Sequence, residues 1–194
     1  MTRREVLKNI QYNENLVNSY ARSINSMNSE ISSLNSQINQ LNGQINQLRD
    51  RVRELERQIR ELNQLKYKYQ KLRDNFSNRQ SKRRNQLSKN FSQKPNVKFM
   101  SSYITGMSAL LSGSEYTKAY NGIGSAIDVI TKKINSLQRE IDLLNKDIRT
   151  KENSINRRSS TISTRQSQIN KTNSNLTYRR QRITYWKNQL KYAT

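Results

Sequence analysis

The residues of this chain that could do chemistry are cations, amides, hydroxyls and phenols, and their spacing suits binding rather than bond-making. The 194 residues contain no His and no Cys. That removes the commonest general base, the thiol nucleophile, and the imidazole and thiolate metal ligands. No catalytic residue, metal site or cofactor is expected, and the chain is read as not an enzyme. The charge is the stronger signal: 36 basic against 14 acidic residues, a net of +22. Residues 149–194 carry eleven Lys and Arg against Glu152 alone, a net of +10. Lys151, Arg157, Arg158, Arg165, Arg179, Arg180 and Arg182 make up most of this basic arm. A surface charged only for solubility would mix signs. The arm therefore suits an anionic surface, whether nucleic acid, an acidic protein or phospholipid, and nonspecific polyanion affinity follows from the charge alone. Tyr178, Tyr185, Trp186 and Tyr192 lie among the cations in positions suited to stacking on bases, although the register of Trp186 suits core packing better.

Two long heptad patterns must position these side chains. Val17, Ile24, Ile31, Ile38, Ile45, Val52 and Ile59 form one column. Tyr20, Met27, Leu34, Leu41, Leu48, Leu55 and Leu62 form the other. Sustained 3–4 alternation of this kind is a coiled-coil seam, covered only by another helix. Past Leu62 the apolar residues are Leu65, Tyr69, Leu72 and Phe76, which implies a stammer in the register. A second heptad runs Ile127, Ile134, Ile141, Ile148, Ile155, Ile162, Ile169, Leu176, Ile183 and Leu190. Its companion column begins apolar (Ile130, Leu137, Leu144), turns polar (Lys151, Arg158, Arg165, Thr172, Arg179) and closes at Trp186. Mean hydropathy of −1.04 with 32% hydrophobic residues fits chains that bury only such seams.

These patterns predict an all-α, elongated antiparallel coiled-coil hairpin with a shorter helix and a glycine-rich turn in its middle. Residues 1–76 are read as the first long helix, and 77–126 as basic linker, short helix and turn. Residues 127–194 are read as the second long, basic helix. Residues 77–98 lose the heptad and hold seven basic residues, no acid and the only proline, Pro95. A short helix is expected over Val97–Leu111, and the glycines from Gly113 to Gly124 mark the turn. The columns also suit a parallel dimer, and two hairpins could pair as a four-helix bundle, so a homo-oligomer stays open at this point. No apolar run approaches the length of a membrane span, and the N-terminus shows no secretory h-region.

Between Ser23 and Leu48 the residues outside the seam are mainly Ser, Asn and Gln, with Glu30 the one charge. The charges that usually choose a coiled-coil partner are missing there. Ile31, Leu34, Ile38, Leu41, Ile45 and Leu48 are therefore candidates for a partner-binding seam. The alternative is a loosely specified internal hairpin.

The middle of the chain resembles a known family. LNQLKYKYQKLRDNF, a basic linker and LLSGSEYTKAYNGIGSAIDVITKKINSLQREIDLLNKDI, covering roughly residues 55–150, resemble the small helical proteins encoded beside LXG toxins of bacterial type VII secretion. The resemblance implies a hairpin similar in plan to WXG proteins. Tyr120-Asn121-Gly122 would stand at the aromatic-x-Gly turn motif, unless these residues form an ordinary polar turn. It further implies an adaptor or targeting chaperone for the toxin's helical targeting domain, cytoplasmic or co-exported with its partner, which the basic arm predicts to be net acidic. Tyr stands where the family has Trp. No Tyr-x-x-x-acid export tail follows, since Tyr178 leads to Arg182 and Tyr185 to Gln189. The alternative function is a basic coiled coil that binds nucleic acid or an anionic membrane surface, or that serves structural assembly.

Overall fold

The computed structural model describes residues 2–92 and 98–193. Three α-helices account for nearly all of them: α1 (Arg3–Ser92), α2 (Lys98–Ser112) and α3 (Ser114–Gln189), with a single 3-10 turn at Leu190–Tyr192. There is no strand among the described residues, and the fold is the all-α antiparallel helical hairpin that the two heptads predict. The chain divides into two compact units, residues 1–48 with 146–194 and residues 49–145.

α1 begins in a capping box. The Thr2 hydroxyl accepts the Glu5 N–H at 3.4 Å, and the Glu5 carboxylate accepts the Thr2 N–H at 2.9 Å. Two otherwise orphaned donors of the first turn are satisfied. The bond from the Thr2 backbone is the main reason the Glu5 carboxyl titrates below its ordinary range.

In the first unit the partners step in opposite directions along the two helices. Gln44 meets Lys151, Gln37 meets Arg158 and Glu30 meets Arg165, seven residues down α1 for every seven up α3. Constant steps of opposite sign define an antiparallel heptad pair. Val6, Ile10, Met27 and Ile45 of α1 and Ile148, Ile169 and Leu176 of α3 are its most buried apolar side chains. Val6 and Ile10 extend the seam upstream of Val17 without a break in spacing.

The second unit is centred on Leu55, Leu137 and Ile141, with Val52, Ile59, Leu62 and Leu144 packed around them. Arg51 donates to Glu140 at the edge of this cluster, at 2.9 Å. Three expectations fail here, for related reasons. The seam does not stammer after Leu62. Lys66, Tyr69, Arg73, Phe76 and Gln80 keep the 3–4 spacing and are half-buried, whereas Leu65 and Leu72 are exposed. Long polar side chains can hold seam positions because their methylenes pack while their heads reach out. α1 also does not end near Phe76 but continues through the supposed linker to Ser92. It is braced there by α2, whose Ile104 is buried and whose Leu111 carbonyl accepts Gln80 Nε2 at 2.7 Å. Pro95 lies outside the described residues.

The third expectation concerns the turn. Tyr120 and Gly122 sit inside α3, not at a turn. Tyr116 and Tyr120 are one helical turn apart. Tyr116 stacks on Phe76 at 4.9 Å and on Tyr120 at 6.0 Å, and the Arg73 guanidinium lies 6.0 Å from the Tyr120 ring centre. This packing keeps the glycine-rich stretch helical against its propensity. The break between α2 and α3 is Gly113, where a Cβ would collide with the Ala109 carbonyl oxygen.

Two glycine substitutions separate these assignments. Gly113→Ala is expected to destabilise the protein by about 1–3 kcal/mol through backbone overpacking. Gly122→Ala, with open space around its Cβ, is expected to stabilise by about 0.5–1 kcal/mol. Urea unfolding followed by circular dichroism reads both, and a destabilising Gly122→Ala would restore the turn at Tyr120–Gly122.

A pH dependence follows from Glu54. Its carboxylate accepts Arg57 at 2.8 and 3.0 Å and Gln58 at 2.9 Å, and these bonds, Arg57 first, draw its pKa down to about 2. The folded value lies below the ordinary 4.5, so its stabilising contribution is complete above 4.5 and lost as the pH falls toward 2. Urea midpoints taken across that window should drop in the native chain and drop less in Glu54→Gln.

Candidate functional site

The candidate seam and the basic arm lie on facing helices of the first unit. Of the six seam residues only Ile45 is buried. Ile31, Leu34, Ile38, Leu41 and Leu48 are half-buried, because a two-helix layer covers them from one side only. The facing stretch of α3 offers one apolar column, Ile155, Ile162, Ile169 and Leu176, and fills the other with long polar side chains.

That polar column is stitched to one flank of α1. Lys151 Nζ donates to Gln44 Oε1 at 3.0 Å and lies 3.6 Å from Asp147. Arg158 Nε donates to Gln37 Oε1 at 2.9 Å, and its Nη1 to the Ser154 carbonyl at 3.2 Å. Arg165 grips both oxygens of Glu30, at 2.8 and 3.2 Å. Arg179 Nη1 donates to Asn13 Oδ1 at 3.3 Å and lies between the rings of Tyr12 and Tyr178, at 5.9 and 5.4 Å from their centres. Asn13 occupies a seam position one heptad before Tyr20 and is only 3% exposed. Its Nδ2 donates to the Asn9 carbonyl at 2.7 Å, so both ends of the amide are used. A buried amide of this kind fixes the register of a coiled coil at some loss of stability.

The structure therefore divides the seven basic residues. Lys151, Arg158, Arg165 and Arg179 reach across to α1. Arg182 lies over the rings of Tyr185 and Trp186, at 5.0 and 5.1 Å, and Trp186 is half-buried in its seam position. Arg157 and Arg180 are exposed, with no side-chain partner among the described residues. A charge count finds only Glu30 between Ser23 and Leu48 and passes over the amide partners. The pairing was visible in one signal, the seven-residue interval of Glu30, Gln37 and Gln44 that matches Lys151, Arg158 and Arg165. The opposite flank of α1 behaves differently. Asn28, Asn35 and Asn42, also seven apart, are exposed, and their side chains make no hydrogen bond among the described residues. One flank of the seam is closed by contacts to α3 and the other presents free amides.

The outer face of α3 is rich in hydroxyls that bond inward. Thr161, Thr164, Ser174 and Thr184 each donate to the carbonyl four residues back, as does the half-buried Thr172 of the seam column. Such bonds satisfy each hydroxyl within the helix at a slight cost to helix stability.

Searches against protein-family models, curated proteins and solved structures find no match.

The contacts differ in expected worth. Glu30 and Arg165 are each more than a third exposed, so removing the pair by Glu30→Gln with Arg165→Gln should cost under about 1 kcal/mol. Asn13→Ala leaves a seam guanidinium without its acceptor and should cost about 1–3 kcal/mol. Urea unfolding of these variants, with a double-mutant cycle at Glu30 and Arg165, measures both.

Proposed function

We propose that the protein is a non-enzymatic adaptor or targeting chaperone that binds the helices of another polypeptide. The resemblance to partners of LXG toxins in type VII secretion suggests such a targeting domain as the partner. The observation that carries this reading is the incomplete cover of Ile31, Leu34, Ile38, Leu41 and Leu48 after α3 has packed against them. An added helix with an apolar stripe would bury what α3 leaves exposed, in the helix-in-groove manner. The free flank of Asn28, Asn35 and Asn42 gives that helix an uncharged side of approach. The exposed Arg157 and Arg180, within an arm of net +10, favour acidic helices over neutral ones.

A second reading, nucleic-acid or other polyanion binding through the arm, draws on the same two arginines and on the Arg182–Tyr185–Trp186 cluster. The two readings need different residues. Ile38→Asp with Leu41→Asp should abolish capture of a helical partner. Asn35→Glu with Asn42→Glu should weaken capture of an acidic helix at least about tenfold without lowering the urea midpoint, since neither side chain supports α3. Arg157→Gln with Arg180→Gln should reduce capture only in part. The polyanion reading requires the reverse ranking and a steep dependence on salt. A pull-down at moderate salt, using as probe a helical toxin encoded by an adjacent gene, decides between them. Hydrogen exchange should show residues 150–190 gaining protection in the complex, and an unchanged pattern would count against the adaptor.

A further inference from the structure

α2 differs in character from the two long helices. Lys98 is the sole charged residue among its fifteen. Its apolar residues point two ways. Ile104 is buried, with Met107 and Leu111 half-buried beside it. Phe99, Tyr103 and Leu110 follow one another at i, i+4 and i+11, which places them on a single stripe. They are 78%, 54% and 65% exposed. Three large apolar side chains on one ridge of a nearly uncharged helix mark a surface made to be covered.

Cations stand on both sides of α2. Arg79 and Arg83 line a cleft of about 500 Å³ that Leu110 and Leu111 border. Arg84 lines a second cleft, of about 850 Å³, with Ile104 and Ser108. None of the three guanidiniums has a hydrogen bond or ion pair among the described residues. The sequence has no carboxylate between Asp74 and Glu115, and Glu115 is engaged by Lys118 at 3.0 Å.

We propose that this α2 ridge and its flanking arginines form a docking surface for anionic phospholipid. Phe99, Tyr103 and Leu110 enter the boundary between headgroups and acyl chains, and Arg79 and Arg83, on the flank that Leu110 borders, bind the phosphates beside it. Charge complementarity selects the occupant. An apolar ridge with arginines along its flank matches a headgroup layer, which lays phosphates beside an inserted ridge. A protein groove would call for polar groups along the ridge to set register, and between Tyr103 and Leu110 the ridge carries only Gly106. No helix among the described residues is long and apolar enough to cross a membrane, so the contact lies in the plane of the surface. It uses the second unit alone and stands or falls separately from the adaptor seam.

The test uses the full chain and two kinds of vesicle, phosphatidylglycerol with phosphatidylcholine and phosphatidylcholine alone. The chain has no Cys, so Tyr103→Cys carries a single environment-sensitive dye. Co-sedimentation should occur with the anionic vesicles only, and the dye emission should shift to the blue. Phe99→Ser with Leu110→Ser, and separately Arg79→Gln with Arg83→Gln, should each lower the partition coefficient roughly tenfold or more. Arg157→Gln with Arg180→Gln should change it by less than about twofold. The substituted residues on α2 are exposed, and helicity by circular dichroism confirms that each variant folds. Any of four results overturns the proposal: equal binding to both vesicles, a dye that stays unshifted on bound vesicles, loss of binding in the Arg157/Arg180 variant alone, or capture of an acidic helical peptide by the ridge with no vesicle binding.

Discussion

The antiparallel packing of the α1 heptad on the α3 heptad is the constraint from which the other features follow. Only 32% of the residues are hydrophobic, so apolar side chains are too few to fill both columns of both helices. Where they run out, long polar residues take their places, Lys66, Arg73 and Gln80 in α1 and Lys151, Arg158 and Arg165 in α3. They are tolerated because the methylenes lie on the neighbouring helix, while the heads of Arg73, Gln80, Lys151, Arg158 and Arg165 find an aromatic face, a carbonyl, an amide or a carboxylate. Arg73 shows the limit of that tolerance. Its guanidinium lies over Tyr120, yet its Nε is buried with no hydrogen-bond partner.

The same fact explains which parts of the fold could be read from the sequence. From Val17 to Leu62 and from Ile127 to Ile148, apolar residues occupy the columns, and the periodicity alone identifies the helices and their pairing faces. From Leu62 onward the seam positions are partly polar and apolar residues stand nearby at Leu65 and Leu72, so hydrophobicity points to a stammer that the helix does not make. The glycine-rich stretch misleads in the opposite sense. Gly122 and Gly124 suggest a turn by propensity, but Tyr120 is one heptad before Ile127, and Tyr116 is two heptads before Ile130. Register, extended backward by sevens, places both tyrosines in the seam where the structure has them. Long-range stacking on Phe76 outweighs a local cost of about 1 kcal/mol per glycine.

The candidate site was legible in its residues but not in its contacts. Composition identifies an apolar seam and a basic arm. It does not reveal that four of the seven cations are held by α1, because an amide carries no charge and a charge count passes over it. Gln37 and Gln44 do for Arg158 and Lys151 what Glu30 does for Arg165. Neutral acceptors leave the positive charge of the arm undiminished while restraining its side chains. The arm thus keeps its long-range field and spreads less of its side-chain entropy into solvent, a combination that carboxylate partners would not provide.

The distribution of apolar surface is the last piece of the argument. In a chain this poor in hydrophobic residues, each one left exposed in a cluster stands against the general economy of the fold. Two of the clusters among the described residues are the half-covered seam of the first unit and the ridge of α2 in the second. They are bordered differently. Free asparagines flank the seam, whereas unpaired arginines flank the ridge. An amide border tolerates a neutral or acidic helix and favours directional hydrogen bonds. A guanidinium border favours dense, mobile phosphate. The two surfaces therefore present different chemistries, and the residues proposed to receive a helical partner are not those proposed to meet an anionic surface.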